Sequence, residues 1–158
     1  MKRKLTSILF AVTMILLASC AQKTESETVV TQTQSVNTDS LINQWNKVWN
    51  DHDSTGLTNL FNSNSVVVFS SKKRFTGVND IMKNWISQTL PVMKNLKTKK
   101  ISASSTNEMA YYNGTYTLDI THNDSVIGTD AGCFNIVWKL QDKKDWKVEL
   151  LFFGVNLQ

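Results

Sequence analysis

The sequence predicts a single α+β domain, with three helices first and an antiparallel sheet after them. Apolar residues recur at helical spacing in three segments between residues 38 and 90. From about residue 98 to the end, they alternate as they do in strands that bury one face. Helices and strands in separate parts of a chain indicate an α+β fold, because a parallel α/β sheet needs the two in alternation.

The first predicted helix carries one apolar stripe. Its apolar residues fall at positions i, i+1, i+4, i+7 and i+8, which lie on one side of an α-helix. Asp39 or Ser40 is suited to cap its N-terminus. The stripe consists of Leu41, Ile42, Trp45, Val48 and Trp49.

Two further helices are predicted after the first. Asp53 is placed to cap a short second helix, and Asn79 to cap the third. Pro91 ends the third helix, because proline lacks the backbone N–H that a helix needs. The inward residues of the second helix are Leu57, Leu60 and Phe61, and those of the third are Ile81, Met82, Trp85, Ile86 and Leu90.

The strands are predicted from β-branched runs, alternation and turn residues. A strand at 65–70 and a short return at "FTG" precede the third helix. The later strands are predicted at 98–105, 109–121, 126–140 and 145–155. The sequence "YYNGTY" leaves two interpretations, which are a hairpin at Asn113-Gly114 and one long strand that bends at Gly114.

The N-terminal 20 residues are typical of an export signal. A basic start, "MKRK", precedes an apolar run that is too short for a membrane-spanning helix. The run ends in "LLASC", which resembles the lipobox of bacterial lipoproteins and implies that a lipid is attached to Cys20. We therefore predict a signal peptide at 1–19, a flexible tether at 20–37 and one folded domain at 38–158, lipid-anchored on the periplasmic face or the cell surface.

The charge of the mature chain argues against a nucleic-acid partner. The whole sequence has 17 basic and 13 acidic residues, a net charge of +4. Lys2, Arg3 and Lys4 leave with the signal peptide, so 14 basic residues remain against 13 acidic, and the net charge falls to +1. The basic isoelectric point is thus mostly a property of the precursor.

The sequence "NDHDST" places His52 between Asp51 and Asp53. Such a group could act as a proton relay, bind a metal, or form the polar junction between two helices. In register with the helices, Asp51 and His52 fall where the first helix ends, and Asp53 falls at the N-cap of the second. We favour the junction. No metal site is predicted, since the two histidines lie about seventy residues apart without His-x-x-His spacing.

The order of several segments resembles the SnoaL-like, ketosteroid-isomerase-like superfamily. These are the tryptophan-bearing first helix with its His/Asp cluster, then "LTNLFNSNSVVVFS", "FTGVNDIMKNW" and "GCFNIVWKLQDKKDWKVELLF". The resemblance implies a cystatin-like cone, in which a strongly curved antiparallel sheet wraps around the first helix and leaves a pocket at its open end. It also implies one bent strand through Gly114, and homodimers that pair through the convex sheet.

Strand alternation then gives candidates for the pocket wall. Tyr112, Gly114, Tyr116, Leu118 and Ile120 share the more apolar face of their strand, and Trp146, Val148, Leu150 and Phe152 form one row of the last. Residues on these faces pack in the hydrophobic core, and those that also line the pocket would contact a ligand. The candidate ligand-binding residues are Trp49, Phe69, Trp85, Tyr112, Tyr116, Phe134 and Phe152.

The isomerase chemistry of the superfamily does not transfer to this sequence. It needs a carboxylate base, together with a tyrosine and a neutral carboxylic acid as hydrogen-bond donors. The strand at 65–70 offers no acid, and Asp119 falls on the opposite face from Tyr112 and Tyr116. We therefore predict no catalytic residue and no cofactor, and we favour a protein that is not an enzyme.

Three functions remain open from the sequence. The favoured one is the binding of a small, mainly apolar ligand in the cone, by a protein that forms homodimers. The second is an isomerase, cyclase or dehydratase that uses a pocket acid with Tyr112 or Tyr116. The third is a non-catalytic scaffold whose pocket is filled by its own aromatic residues.

Overall fold

A computed structural model of the chain describes residues 35–142 and 145–155. The predicted signal peptide, Cys20 and most of the predicted tether lie outside these residues. The described residues form three helical segments and one six-stranded sheet. The α+β class predicted from the sequence is confirmed.

Helix α1 spans Thr38–Asn50 and buries the predicted stripe. Trp45 and Trp49 are 4% and 3% exposed. The predicted caps, Asp39 or Ser40, are wrong by two or three residues, because the cap is Asn37, whose side chain accepts the Asp39 N–H at 2.9 Å. At the other end, the Asn50 side chain donates to the Leu96 carbonyl at 2.9 Å and accepts the Leu96 N–H at 2.8 Å. This pair of hydrogen bonds fixes the C-terminal end of α1 against the sheet.

Helix α2 spans Ser54–Leu60 and begins at the predicted cap. Asp53 Oδ1 accepts the Gly56 N–H at 2.8 Å. The expectation that Phe61 belongs to this helix is wrong, because its extended backbone begins the first strand instead. Phe61 is nevertheless buried, 4% exposed, with its ring edge-on to Trp45.

The third helical segment, which we call α3, is continuous but not uniformly α-helical. It consists of an α-helical turn at Val78–Ile81, a π-helical turn at Met82–Ile86 and a short α-helical end at Ser87–Thr89. The π turn buries two consecutive residues, Trp85 and Ile86. Asn79 is not the cap, because Gly77 occupies that position with a φ of 82° and no side-chain hydrogen bond.

The sheet has the strand order β2-β1-β6-β5-β4-β3. The strands are β1 Phe61–Phe69, β2 Arg74–Thr76, β3 Met93–Ser105, β4 Met109–His122, β5 Ser125–Gln141 and β6 Asp145–Val155. The expectation of a wholly antiparallel sheet is wrong, since β1 and β6 run parallel. The reason is that β3 to β6 form an antiparallel meander whose last strand returns beside β1 in the direction of β1.

Strand β4 runs through Asn113-Gly114 without a turn, so the hairpin interpretation is wrong. A Cβ on Gly114 would lie 2.6 Å from the Lys99 carbonyl oxygen, which shows how closely β3 approaches there. Opposite this position the register of β3 shifts between Lys100 and Ser102. Bulges of this kind increase the local bend and twist of a sheet.

A second register shift, between Val137 and Trp138 of β5, changes which residues of β6 face the core. Trp138 pairs with Val148 and Val137 with Leu150, so Glu149 is the additional residue. Val148 and Leu151 are therefore both buried, whereas strict alternation would place them on opposite faces. The predicted inward row of β6 is right as far as Val148 and wrong beyond it.

Candidate functional site

A cavity of about 250 Å³ opens beside α1 and α3 on the inner face of the sheet. Its walls come from α1, from the strands β1, β2 and β6, from α3, and from the facing residues of β3, β4 and β5. The rim is polar and the interior is aromatic. The residues that line it are Trp49, Phe69, Ser71, Lys73, Phe75, Asn84, Trp85, Gln88, Thr89, Met93, Tyr116, Leu118, Asp130 and Phe153.

Three rings form the centre of the wall. Phe69 stacks on Phe153 with centroids 5.0 Å apart, and Trp85 meets both rings edge-on at 5.6 Å. Tyr116 packs edge-on against Phe153 at 5.5 Å. Contacts of this geometry are the favoured ones for aromatic pairs, so the rings hold one another in place.

A smaller recess of about 20 Å³ adjoins the cavity. It shares Trp49, Tyr116, Leu118 and Phe153 with the cavity, and Phe134 is among its additional lining residues. About one water probe fits in a space of this size, so the recess adds little room for a ligand. Tyr112 lies behind it, 4% exposed and stacked on Phe134 at 5.8 Å.

The structure brings most of the predicted wall residues together. Trp49, Phe69, Trp85 and Tyr116 line the cavity, Phe134 lines the recess, and Tyr112 supports Phe134 from behind. Ligand contact by these residues stays a prediction.

The predicted placement of Phe152 is wrong. Because of the additional residue at Glu149, Phe152 lies on the outer face of the sheet with 39% of its surface exposed. Its neighbour Phe153 lines the cavity in its place. The bulge adds one residue to β6, and no glycine or proline in the sequence marks it. Strict alternation along β6 therefore placed Phe152, instead of Phe153, on the inner face.

The cavity contains one acid–tyrosine pair. The Tyr116 hydroxyl donates to Asp130 Oδ2 at 3.2 Å, and both residues lie in the wall. Burial raises the pKa of the Tyr116 phenol, and the negative charge and hydrogen bond of Asp130 raise it further. The phenol therefore keeps its proton and remains a hydrogen-bond donor to the carboxylate.

Asp130 was missed in the sequence, although a signal for it was present. Counting back from Phe134 in steps of two along β5 gives Gly132 and Asp130 on the same face. Asp119, the acid that was considered, does lie on the other face from Tyr116, as predicted. There its Oδ2 accepts the side-chain amide of Asn95 at 2.7 Å.

Trp49 presents a buried donor that no described residue satisfies. It is 3% exposed, it lines both the cavity and the recess, and its Nε1–H has no acceptor among the described residues. A buried polar group without a partner costs on the order of 1–3 kcal/mol. An acceptor brought into the cavity by a ligand would remove that penalty if it reached this N–H.

The Asp51-His52-Asp53 sequence is the junction between α1 and α2. Asp51 is the C-cap residue of α1 and forms an ion pair with Lys47, while Asp53 caps α2. His52 connects them in a left-handed conformation with a φ of 54°. None of these three residues lines the cavity. Within residues 35–142 and 145–155, no group of three or more metal-ligating side chains is present.

Comparison with known proteins identifies the fold but no sequence family. No family model matches the chain, and no curated protein matches it in sequence.

No helix among the described residues is long and apolar enough to cross a membrane.

Solved structures match the folded domain at low identity. A candidate SnoaL-like polyketide cyclase from Shewanella denitrificans is 14% identical, with a TM-score of 0.56, over 75% of this chain and 89% of that one. A cystatin-like domain of unknown function from Nostoc punctiforme is 13% identical, with a TM-score of 0.60, over 75% of each chain.

A third similar structure contains a bound small molecule. It is a hypothetical protein with a ketosteroid-isomerase-like fold from Catenulispora acidiphila, in complex with trimethylamine. It is 14% identical, with a TM-score of 0.53, over 74% of this chain and 85% of that one. The chain thus has the cystatin-like α+β fold of SnoaL-like and ketosteroid-isomerase-like proteins, as the resemblance in its sequence implied.

Proposed function

We propose that this protein binds a small, mainly apolar ligand in the cavity beside α1 and α3. The proposal rests on the wall of the cavity. Phe69, Trp85 and Phe153 pack against one another, and a space remains between these rings and the polar rim. Ligand sites are typically concave and apolar, with a few polar groups that orient the ligand. Such groups are Tyr116, Asp130 and the N–H of Trp49, which has no acceptor within the described part of the chain.

The size of the cavity limits the ligand. At about 250 Å³ it lies below the ~300–1,000 Å³ of sites for drug-sized molecules. A compact metabolite, or one end of a longer molecule, fits this volume better than a whole steroid-sized ligand. The trimethylamine complex of the Catenulispora acidiphila protein is a precedent for a small ligand on this fold.

A matched pair of neighbouring phenylalanines tests the proposal. The full chain is screened by thermal shift against small apolar compounds, and any hit is titrated against Phe153→Ala and Phe152→Ala. Phe153→Ala should change the affinity at least several-fold, because it removes part of the cavity wall. Phe152→Ala should leave it unchanged, because that ring lies on the outer face. Hits that respond equally to both variants, or the absence of any hit, would contradict the proposal.

The domain is proposed to act outside the cytoplasm, anchored by a lipid on Cys20. The support is the order of basic, apolar and "LLASC" segments at the N-terminus. Cys20→Ser should abolish the incorporation of radiolabelled palmitate by cells that express the full chain. Retained label in this variant would refute the lipid anchor, whatever the ligand proves to be.

The outer face of the sheet is proposed to form a homodimer. Tyr111 on β4 is 38% exposed there, and Leu150 and Phe152 on β6 are 36% and 39% exposed. Val137 connects them, since it pairs with Tyr111 on one side and Leu150 on the other. Tyr111→Lys with Leu150→Lys should convert a dimer to a monomer in light scattering. A wild-type monomer at high concentration would exclude this dimer.

The Tyr116–Asp130 pair also favours a second candidate, an enzyme that moves a proton at a carbon next to a carbonyl. In this candidate Asp130 is the base and Tyr116 a hydrogen-bond donor. The geometry opposes part of it, since the phenol hydrogen is already directed to Asp130. The test follows the exchange of protons next to the carbonyl of a small ketone for deuterium. Exchange that the wild type catalyses and Asp130→Asn does not would support this second candidate. The same slow exchange in both proteins would remove this candidate.

A further inference from the structure

A carboxylate that forms no ion pair with the described residues lies in the aromatic wall of the cavity. Asp130 is half-buried and accepts a hydrogen bond from Tyr116 at 3.2 Å. The ion pairs found among residues 35–142 and 145–155 all use other carboxylates, namely Asp39, Asp51, Asp124 and Asp145. Removing a carboxylate from water is unfavourable unless a donor or a cation compensates it, and one neutral phenol compensates it in part.

The rings beside this carboxylate are suited to a cation. Tyr116, whose hydroxyl contacts Asp130, packs on Phe153, and Phe153 packs on both Phe69 and Trp85. The faces of aromatic rings carry partial negative charge and attract ammonium groups, and tryptophan does so most strongly. Rings and a carboxylate around one small space are the usual means of binding a methylated ammonium group.

We propose that the ligand of this cavity carries a tertiary or quaternary alkylammonium group, which lies against Phe69, Trp85 and Phe153 with its charge facing Asp130. This inference rests on the proposed function and names the chemical class of its ligand. Methyl groups on nitrogen match the apolar wall. A primary ammonium would need three hydrogen-bond acceptors, and the aromatic interior does not provide them.

One charge in the wall acts against a cation. Lys73 lies on the rim, exposed, on the loop between β1 and β2. It forms no ion pair with the carboxylates of the described residues. Since an exposed lysine is screened by solvent, its effect is smaller than that of the half-buried carboxylate. Lys73→Gln should therefore strengthen the binding of an alkylammonium ligand modestly.

Calorimetric titration of the full chain tests the charge directly. The probes are choline, tetramethylammonium and dimethylbutanol, the neutral carbon isostere of choline. Choline should bind at least about tenfold more tightly than the isostere. Equal binding of choline and its isostere would overturn the inference and leave the apolar-ligand function standing. If other apolar compounds bind but none of these three probes does, the inference is likewise overturned and the apolar-ligand function remains.

Two variants assign the preference to the cavity. Asp130→Asn should abolish the preference for choline over the isostere, while Asp119→Asn should preserve it, because Asp119 lies on the other face of β4. If Asp130→Asn does not fold, Lys73→Gln provides the second test, since its side chain is exposed. Unchanged or weaker choline binding in Lys73→Gln, or a preference that survives Asp130→Asn, would overturn the inference.

Discussion

The Tyr116 hydroxyl and Asp130 Oδ2 lie 3.2 Å apart across the neighbouring strands β4 and β5, inside the wall of the cavity. Backbone register explains the contact, since Tyr116 pairs with Gly132 and Leu118 pairs with Asp130. The phenol thus reaches diagonally over a glycine to the carboxylate. The pair combines a proton that is hard to remove with a charge that has no cationic partner among the described residues.

The raised pKa of Tyr116 makes stability depend on alkaline pH. Above about pH 10, where an ordinary tyrosine titrates, the unfolded chain releases the proton and the folded chain keeps it. The folded state then binds more protons, so the free energy of unfolding decreases as pH rises through this range. Tyr116→Phe should reduce the slope of melting temperature against pH there.

Asp130→Asn serves as the control for this pH effect. It removes the negative charge and the carboxylate hydrogen bond that raise the Tyr116 pKa, while burial of the ring remains. Its slope should lie between those of the wild type and Tyr116→Phe. Identical slopes in all three proteins would mean that Tyr116 titrates alike in the folded and unfolded chain.

Neighbouring leucines test the bulge in β6. Leu151 is 1% exposed and Leu150 is 36% exposed, although strict alternation from Val148 would reverse them. Leu151→Ala should lower the free energy of unfolding by about 2–5 kcal/mol, as buried leucines do. Leu150→Ala should lower it by less than about 1 kcal/mol. Urea unfolding at low protein concentration measures both, and a larger loss for Leu150→Ala would place the bulge elsewhere.

The two aspartates beside His52 should differ in their contribution to stability. Asp53→Ala removes the cap of α2 and should cost about 0.5–2 kcal/mol. Asp51→Ala removes an exposed ion pair with Lys47 and should cost less, because solvent screens exposed ion pairs. Thermal unfolding measures the stability of both variants. Equal and negligible losses of stability would contradict a structural role for this junction.

Gly132 gives Tyr116 the space to reach Asp130. A Cβ at this position would lie 2.5 Å from the Gly154 carbonyl oxygen and 2.9 Å from Tyr116 Cε1. Gly132→Ala should cost roughly 1–3 kcal/mol through this overlap, and it should weaken ligand binding because Tyr116 must move. The matched control is Gly128→Ala on the same strand, whose Cβ would meet nothing within 4 Å. Chemical unfolding should show the control within about 0.5 kcal/mol of the wild type.

Local patterns were sufficient for most of the elements. The stripe of α1, the Asp53 cap and the inward face of β4 follow from side-chain spacing, and the structure confirms each of them. These features depend on interactions within about four residues or on simple alternation. The Asn37 cap was missed because four consecutive side chains at the start of α1 are all suitable caps, namely Asn37, Thr38, Asp39 and Ser40.

The remaining errors come from contacts between distant segments. The parallel pairing of β1 with β6 joins residues more than eighty positions apart, and no local pattern encodes it. The same pairing and the additional residue at Glu149 turn Phe152 outward and Phe153 inward. Asp130 lies in the cavity wall because of the register of β5 with β4, and no motif around it in the sequence indicates this position.

The sequence alone determined that the chain forms an α+β domain, which segments are helices or strands, and that most of the aromatic side chains collect on one side of the sheet. It did so because helix and strand periodicities are properties of neighbouring residues. Only the tertiary structure decided that a space remains between those rings and that Asp130 faces it. Cavities and charge partners depend on bulges, register and the approach of distant strands, and these are set by the packing of the whole domain.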